Sequence, residues 1–200
     1  MSVATRASLA LAFECGEEAP PAFGIIEALK KAGVRATFFV DGLWAETNSA
    51  VLRAIAADGH EFGNHGHGHP DWTTLDPAAI LANHALVESI VKKETARTTR
   101  PWVLPPKGAV DDRVAAVLHA DGLRYVNPLP LDAGDFGPPT REAVKQRALD
   151  AAADGAVIVV HTGRWPTTQA VSDLVTDLPA RGFRLTTLTA LGREPTYRDR

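Results

Sequence analysis

Helices in this chain are predicted to stop five times at a glycine that is followed by a strand. The stretches with helical spacing end at Gly33, Gly59, Gly122, Gly155 and Gly182. Glycine adopts the left-handed backbone conformation that closes a helix without steric strain. A short strand-like run follows each of these glycines, so the sequence predicts repeated βα units.

The predicted strands are short and alternate with longer helical segments. Strand-like runs occupy residues 8–14, 36–41, 102–104, 124–127, 156–161 and 184–188. Strands that alternate with helices favour a parallel sheet, and about six or seven βα units fit a barrel or a doubly wound sheet. Because 200 residues can bury about 70% of the unfolded surface, we expect one α/β domain over residues 1–200.

Composition excludes several classes of partner. The chain has 21 Lys and Arg against 24 Asp and Glu, for a net charge of −3, so no basic surplus indicates a nucleic-acid partner. No stretch has the 18 or more apolar residues of a typical membrane span, so we expect no membrane partner.

The single cysteine, Cys15, excludes an internal disulfide. The N-terminus lacks a signal peptide, which predicts a cytoplasmic protein, or an extracellular one if a leader has been removed.

Histidines are concentrated in residues 59–70, which hold four of the seven in the chain. His65 and His69 are four residues apart and can converge on one cation if the segment curls into a turn. His67 is expected to point elsewhere in such a turn, and His60 precedes the strand. The alternative is a solvated histidine-rich loop that binds no metal.

Other chemically active side chains also follow predicted strands. Glu14 and Cys15 end the first strand, and His161 ends the apolar run 157–161. Asp135 and Phe136 lie in an irregular loop rich in Pro, Gly and Asp. Loops that follow parallel strands gather at one edge and hold the site, so these residues are candidates. Taken one at a time, each also has a structural interpretation, with Cys15 as a buried filler, Glu14 as a solvated acid and His161 as a strand-end hydrogen-bonding group.

These segments resemble the NodB-homology polysaccharide deacetylases, which form carbohydrate esterase family 4. Residues 59–70 match the family segment Gly-His-Glu-Ile-(Gly/Ala)-Asn-His-x-x-x-His-Pro nearly residue for residue. Residues 36–40 match the second strand of the family, and residues 157–161 are similar to the strand that ends in its catalytic histidine. Residues 132–136 resemble Asp-x-x-Asp-Trp, with Phe136 in place of tryptophan. The resemblance covers roughly residues 8–191 and implies a distorted (β/α) barrel of seven or eight units.

Two family motifs are altered in this chain. Glu14 and Cys15 stand where the motif Thr-Phe-Asp-Asp-Gly has its general base and its third metal ligand. Leu104 and Lys107 stand where Arg-x-Pro-aromatic-Gly has its arginine, which tethers the base, and its aromatic residue. The resemblance implies one divalent transition metal held by Cys15 with the two histidines, His65 and His69. A thiolate ligand would favour zinc.

The resemblance also implies a mechanism. Glu14 would act as general base and His161 as general acid, with Asp135 setting the pKa of His161. Lys107, through its backbone amide, and Phe136 would contact the substrate, which is expected to be an acetylated carbohydrate or a small amide. Two alternatives remain open, a catalytically impaired pseudoenzyme that binds a glycan or partner, and a cytoplasmic amidase that acts on a small non-peptide amide.

Overall fold

A computed structural model of the protein shows one parallel sheet wrapped by helices. The structure describes residues 7–126, 135 and 140–192. The strands are β1 (Ser8–Cys15), β2 (Thr37–Val40), β3 (Glu61–Asn64), β4 (Trp102–Val103), β5 (Arg124–Tyr125), β6 (Val157–His161) and β7 (Arg184–Thr186). The helices are α1 (Pro20–Ala32), α2 (Gly42–Thr47), α3 (Ser49–Ala57), α4 (Pro77–Thr95), α5 (Asp112–Ala120), α6 (Arg141–Ala151), α7 (Trp165–Ala180) and α8 (Leu188–Leu191).

The strands form an open, curved sheet in the order β5-β4-β3-β2-β1-β6, and β7 pairs with the first residues of β1. Every strand pairing in the described chain is parallel. This architecture confirms the predicted α/β fold of the distorted NodB type, a half-barrel. No helix within the described ranges is long and apolar enough to cross a membrane.

Four of the five predicted helix stops are confirmed by the backbone, and the stop at Gly155 is wrong because α6 already ends at Ala151 and Ala152 is extended. All five glycines have positive φ angles, of 66°, 73°, 72°, 83° and 93° in chain order. Because an L side chain is strained at such angles, glycine lets the chain leave α1, α3, α5 and α7 and turn toward the next strand. The main difference from prediction lies near residue 187, where Thr187 ends the last strand early by capping α8 with its hydroxyl.

Strand β1 lies at the centre of the core, and its two faces differ. Leu9, Leu11 and Phe13 pack with α1 and α7 in the larger apolar cluster. The small residues Ala10 and Ala12 face the crowded interior of the half-barrel. Because side chains alternate along a strand, Glu14 lies on the same face as Ala10 and Ala12, and Cys15 lies on the same face as Phe13.

The strand register places the candidate residues next to one another at the carboxyl ends of the strands. Glu14 is paired with Phe39 of β2 on one side and with His161 of β6 on the other. Val40 at the end of β2 is paired with Asn64 at the end of β3, directly before His65. The carboxyl edge of the sheet therefore places Glu14, His161 and the histidine-rich loop next to one another.

Candidate metal centre

The loop after β3 presents two histidines through an unusual backbone. Gly66, Gly68 and His69 all have positive φ angles, of 71°, 79° and 53°. A Cβ atom at Gly66 would lie 2.8 Å from Pro106 Cγ, so the loop packs tightly against the segment that follows β4. The turn allows His65 and His69 to approach each other, with ring centroids 5.0 Å apart. The predicted convergence of these two imidazoles is confirmed.

The tautomer of His65 is set by its backbone partner. Its Nδ1 lies 2.7 Å from the carbonyl oxygen of Leu104, which can only accept a hydrogen bond, so Nδ1 carries a proton. The opposite nitrogen, Nε2, is buried without a hydrogen bond, although Glu14 Oε1 lies only 3.0 Å away. An imidazole that donates to a carbonyl at one nitrogen and leaves the other unbonded beside a carboxylate is the usual arrangement of a metal ligand. His65 therefore fits a bound cation.

Three donor atoms cluster at this point. One atom each from Glu14, His65 and His69 lie within 4.8 Å of one another. Glu14 Oε1 is 3.0 Å from His65 Nε2 and 4.0 Å from His69 Nε2. Tetrahedral zinc with bonds of about 2.0–2.1 Å holds such atoms about 3.3 Å apart, so the cluster has the dimensions of a three-ligand site. His65 is 1% exposed whereas His69 is 45% exposed, so the site opens to solvent on the His69 side.

The structure does not bring Cys15 to this group, which corrects the ligand set expected from the sequence. Cys15 is fully buried and packs in the same cluster as Leu9, Leu11 and Phe13. Burial raises the pKa of its thiol to about 12, so it is not a thiolate here. The physical reason is strand alternation, since consecutive residues of β1 face opposite sides and it is Glu14 that turns toward the histidines. Glu14, expected as the general base, lies next to His65 and His69.

A second pair of predicted residues lies beside the cluster. His161 Nδ1 is 2.7 Å from Asp135 Oδ1, and His161 Nε2 is 3.4 Å from Glu14 Oε1. Asp135 is fully buried, and its Oδ2 accepts hydrogen bonds from the His161 backbone N–H and from the Thr167 hydroxyl. These bonds fix the carboxylate and orient the imidazole with Nε2 toward Glu14.

Charges at the site shift several pKa values. Burial raises the pKa of Glu14, but His65 and His161 lower it more, so it lies well below its usual range. Burial lowers the pKa of His161, but hydrogen bonds and charges from Asp135 and Glu14 outweigh burial and raise it to about 10. Burial also lowers the pKa of His65, and the Glu14 carboxylate reverses the shift and raises it. Burial and the neighbouring His65 lower the pKa of His69. Glu14 is thus held ionised by imidazoles instead of by an arginine.

The remaining predicted residues lie around this centre. His67 is 3.1 Å from Glu46 and outside the cluster, as expected, and His60 is buried at the start of β3. Leu104, in the position of the family arginine, points into the half-barrel interior and contributes only its carbonyl to the site. Lys107 is exposed with a φ of 60° and lies close enough for its charge to lower the pKa of His69. Phe136 lies outside the described residues.

Asp41 is a functional candidate that sequence reasoning missed. It follows β2 and is 6% exposed. Its Oδ2 accepts hydrogen bonds from the backbone N–H groups of Gly68 and His69, at 2.9 and 3.1 Å. Its Oδ1 caps α2 by accepting from Trp44 N–H at 3.0 Å. Since it holds the strained backbone of His69 in place, Asp41 is a positioning residue. Its location at a strand end was the one indication in the sequence.

Replacing Asp41 with alanine is expected to lower the affinity of the site for zinc by about 10–100-fold, the usual cost of losing a group that orients a ligand. Competition with a chromophoric chelator measures this affinity. Asp76→Ala is the matched control, because Asp76 also caps a helix through its side chain but lies at the exposed start of α4. Equal affinities in the two variants would show that Asp41 does not position His69.

This fold and this cluster place the chain in a known family. The family model for polysaccharide deacetylases matches residues 3–126. The chain belongs to this family.

The sequence of this chain is similar to those of several known proteins. The uncharacterised protein YlxY of Bacillus subtilis is 30% identical over 84% of this chain and 51% of its own length. The peptidoglycan-N-acetylglucosamine deacetylase PgdA of Listeria monocytogenes is 25% identical over 94% of this chain and 39% of its own length. This chain therefore spans about half of the length of YlxY and about two fifths of the length of PgdA.

Solved structures agree with the fold. Peptidoglycan deacetylase PdaC from Bacillus subtilis has a TM-score of 0.84 at 25% identity, covering 94% of this chain and 91% of that one. BA3943 from Bacillus anthracis, a CE4 family pseudoenzyme, has a TM-score of 0.87 at 26% identity, covering 95% and 66%. A BA3943 mutant with restored enzymatic activity has the same TM-score. The family thus includes both active and inactive members.

Proposed function

We propose that this chain is a divalent-metal-dependent hydrolase that removes N- or O-acetyl groups from a carbohydrate, and that zinc is its metal. The observation that carries the proposal is the convergence of three imidazole Nε2 atoms on Glu14 Oε1. His65, His161 and His69 lie 3.0, 3.4 and 4.0 Å from that oxygen. Two imidazoles and one carboxylate suit zinc, which takes nitrogen and oxygen ligands and keeps an open position in catalytic sites.

The ligand roles follow from the geometry. Glu14, His65 and His69 would hold the cation, which when bound polarises a carbonyl group and lowers the pKa of water. Leu104 keeps the lone pair of His65 Nε2 directed into the site, because its carbonyl accepts the Nδ1 proton. The exposed side of His69 leaves room for a substrate to approach.

His161 is the proposed proton-transfer group. Its Nδ1 proton is directed to Asp135, so Nε2 is the nitrogen that faces the cluster and the reacting atoms. Asp135 favours the imidazolium form, which can protonate a leaving amine or alcohol. Because Glu14 would be a ligand in our proposal, the base role expected for it is not retained. The attacking water would instead lose its proton to bulk solvent, since its pKa would be lowered at the site, and His161 would give its Nε2 proton to the leaving group and regain one from solvent.

The proposed substrate class comes from the relatives. Their names include deacetylases of peptidoglycan N-acetylglucosamine and of chitooligosaccharide. We assay acetate release from N-acetylated chitooligosaccharide, acetylated xylan and a small N-acetyl amide, using protein loaded with zinc. We expect acetate from a carbohydrate, with no release after chelation. Release from the small amide alone would instead assign the amidase function.

A catalytically impaired, glycan-binding protein is the second candidate. Two observations favour it, since Cys15 is buried in the core and Leu104 fills the half-barrel interior, so neither position supplies a second carboxylate beside Glu14 to act as base. The similarity to the pseudoenzyme BA3943 supports the same view. Zinc-loaded protein that binds chitooligosaccharide but releases no acetate from any of the three substrates would establish this function and overturn the hydrolase proposal.

A further inference from the structure

A large cavity lies at the opposite edge of the sheet from the metal centre. Its volume is about 910 Å³, within the usual range of about 300–1,000 Å³ for small-molecule sites. Arg35 and His60 line it from the segments that lead into β2 and β3. The last turn of α4, the segment after it and residues 185–190 complete the wall. The amino ends of the strands thus form a second concave surface, separate from the cluster at their carboxyl ends.

Positive charge at this cavity is only partly neutralised. Lys92 is paired with Glu88 and Arg100 with Asp121, at 3.3 and 2.8 Å. The guanidinium groups of Arg35 and Arg97 have no carboxylate partner among the residues that the structure describes. Two guanidinium groups on one cavity therefore have no paired carboxylate within the described part of the chain.

The single acidic residue in the described lining is already used by the protein. Glu61 accepts a 2.6 Å hydrogen bond from the Thr37 hydroxyl and lies 3.3 Å from the Thr189 backbone N–H, which donates to it. These bonds tie the carboxylate to β2 and α8. Glu61 therefore does not neutralise the two arginines by direct pairing.

Arg35 is positioned by a glycine. A Cβ atom at Gly59 would lie 3.3–3.5 Å from the Nε, Cζ and Nη2 atoms of Arg35, so the guanidinium lies directly over the glycine backbone. Gly59 has a φ of 73°, which most side chains avoid. The guanidinium is thus placed by packing and keeps its hydrogen-bond donors available for a ligand.

His60 contributes a buried, neutral ring to the cavity wall. It is 1% exposed, and its Nδ1 accepts a hydrogen bond from the Ala36 N–H at 3.3 Å. The proton of the neutral ring is therefore on Nε2, which has no partner. Burial lowers the pKa of His60 to about 4, so the ring is neutral at pH 7.

We propose that this cavity binds a phosphorylated small molecule of about the size of a sugar phosphate, with its phosphate group on Arg35 and Arg97. Guanidinium groups present paired donors that match phosphate oxygens. The volume favours a ligand larger than an isolated phosphate ion. This inference does not depend on the proposed hydrolase function.

Calorimetric titration at low ionic strength tests the proposal with three probes, glucose 6-phosphate, inorganic phosphate and glucose. We expect glucose 6-phosphate to bind most tightly and glucose not to bind. Arg35→Gln and Arg97→Gln should each lower the affinity for glucose 6-phosphate at least about 10-fold, because each removes a charged hydrogen-bonding group. Arg53→Gln, which removes an exposed arginine paired with Glu94, is the control and should change nothing.

Phosphate also binds metal ions, so the titrations are run on zinc-loaded and on chelated protein. Equal affinity in both supports a site at the amino ends of the strands. Binding that disappears with the metal, that is unchanged in both arginine variants, or that is absent for both phosphate probes would overturn the proposal. Equal affinity for inorganic phosphate and glucose 6-phosphate would overturn its sugar-phosphate part.

Discussion

Replacing His65 with alanine is expected to lower the affinity of the protein for zinc by more than about 100-fold, because loss of a group that merely orients a ligand already costs about 10–100-fold. His65 combines near-complete burial, a fixed tautomer and an unbonded Nε2 that faces Glu14. Metal content after dialysis and competition with a chelator measure the loss.

Two further variants make this result interpretable. His69→Ala should show a similar loss of zinc, and because this side chain is 45% exposed its removal should leave the fold intact. His67→Ala is the control, since His67 lies in the same loop but contacts Glu46 outside the cluster. If His65→Ala and His69→Ala keep zinc as well as His67→Ala does, the histidine-rich loop is not the metal site.

Replacing His161 with alanine is expected to lower turnover by about 10²–10⁴-fold while leaving substrate binding nearly unchanged, as is usual for an acid that acts only in the transition state. The expectation rests on the orientation of His161, whose Nδ1 is held by Asp135 and whose Nε2 lies 3.4 Å from Glu14. Acetate release at saturating substrate measures turnover, and zinc content is checked on the same sample.

A structural role for His161 predicts a different outcome. His161 ends a buried strand, so a purely structural histidine would lower the melting temperature on removal and cause no separate loss of turnover. Asp135→Asn should lower turnover less than His161→Ala and shift the pH profile. A stable, zinc-loaded His161→Ala protein with unchanged turnover would exclude His161 from the reaction.

Much of the fold could be predicted because the signals that end its helices are local in the sequence. A glycine with positive φ after a helix requires only the last turn of that helix, and four of the five predicted stops have this geometry. The His65–His69 pair was predictable for the same reason, since both residues lie in one short loop. Local patterns thus determined the parallel α/β architecture and two members of the candidate metal cluster.

The third member of the cluster was assigned differently by resemblance and by structure. Position in a family motif pointed to Cys15, whereas the alternation of large and small residues along β1 places Glu14 on the interior side with Ala10 and Ala12. That pattern was present in the sequence and could have identified Glu14. By contrast, the carbonyl of Leu104 and the carboxylate of Asp41 act through contacts 39 and 28 residues away in the chain, which no local pattern shows.

We propose that Glu14, and not Cys15, completes the metal centre. The most direct test compares the zinc affinity and stoichiometry of Glu14→Ala and Cys15→Ala under identical conditions. We expect Cys15→Ala to bind one zinc with nearly wild-type affinity, because its thiol is buried among apolar side chains and protonated. Glu14→Ala should bind zinc at least about 10-fold more weakly. Loss of zinc in Cys15→Ala with retention in Glu14→Ala would contradict the account.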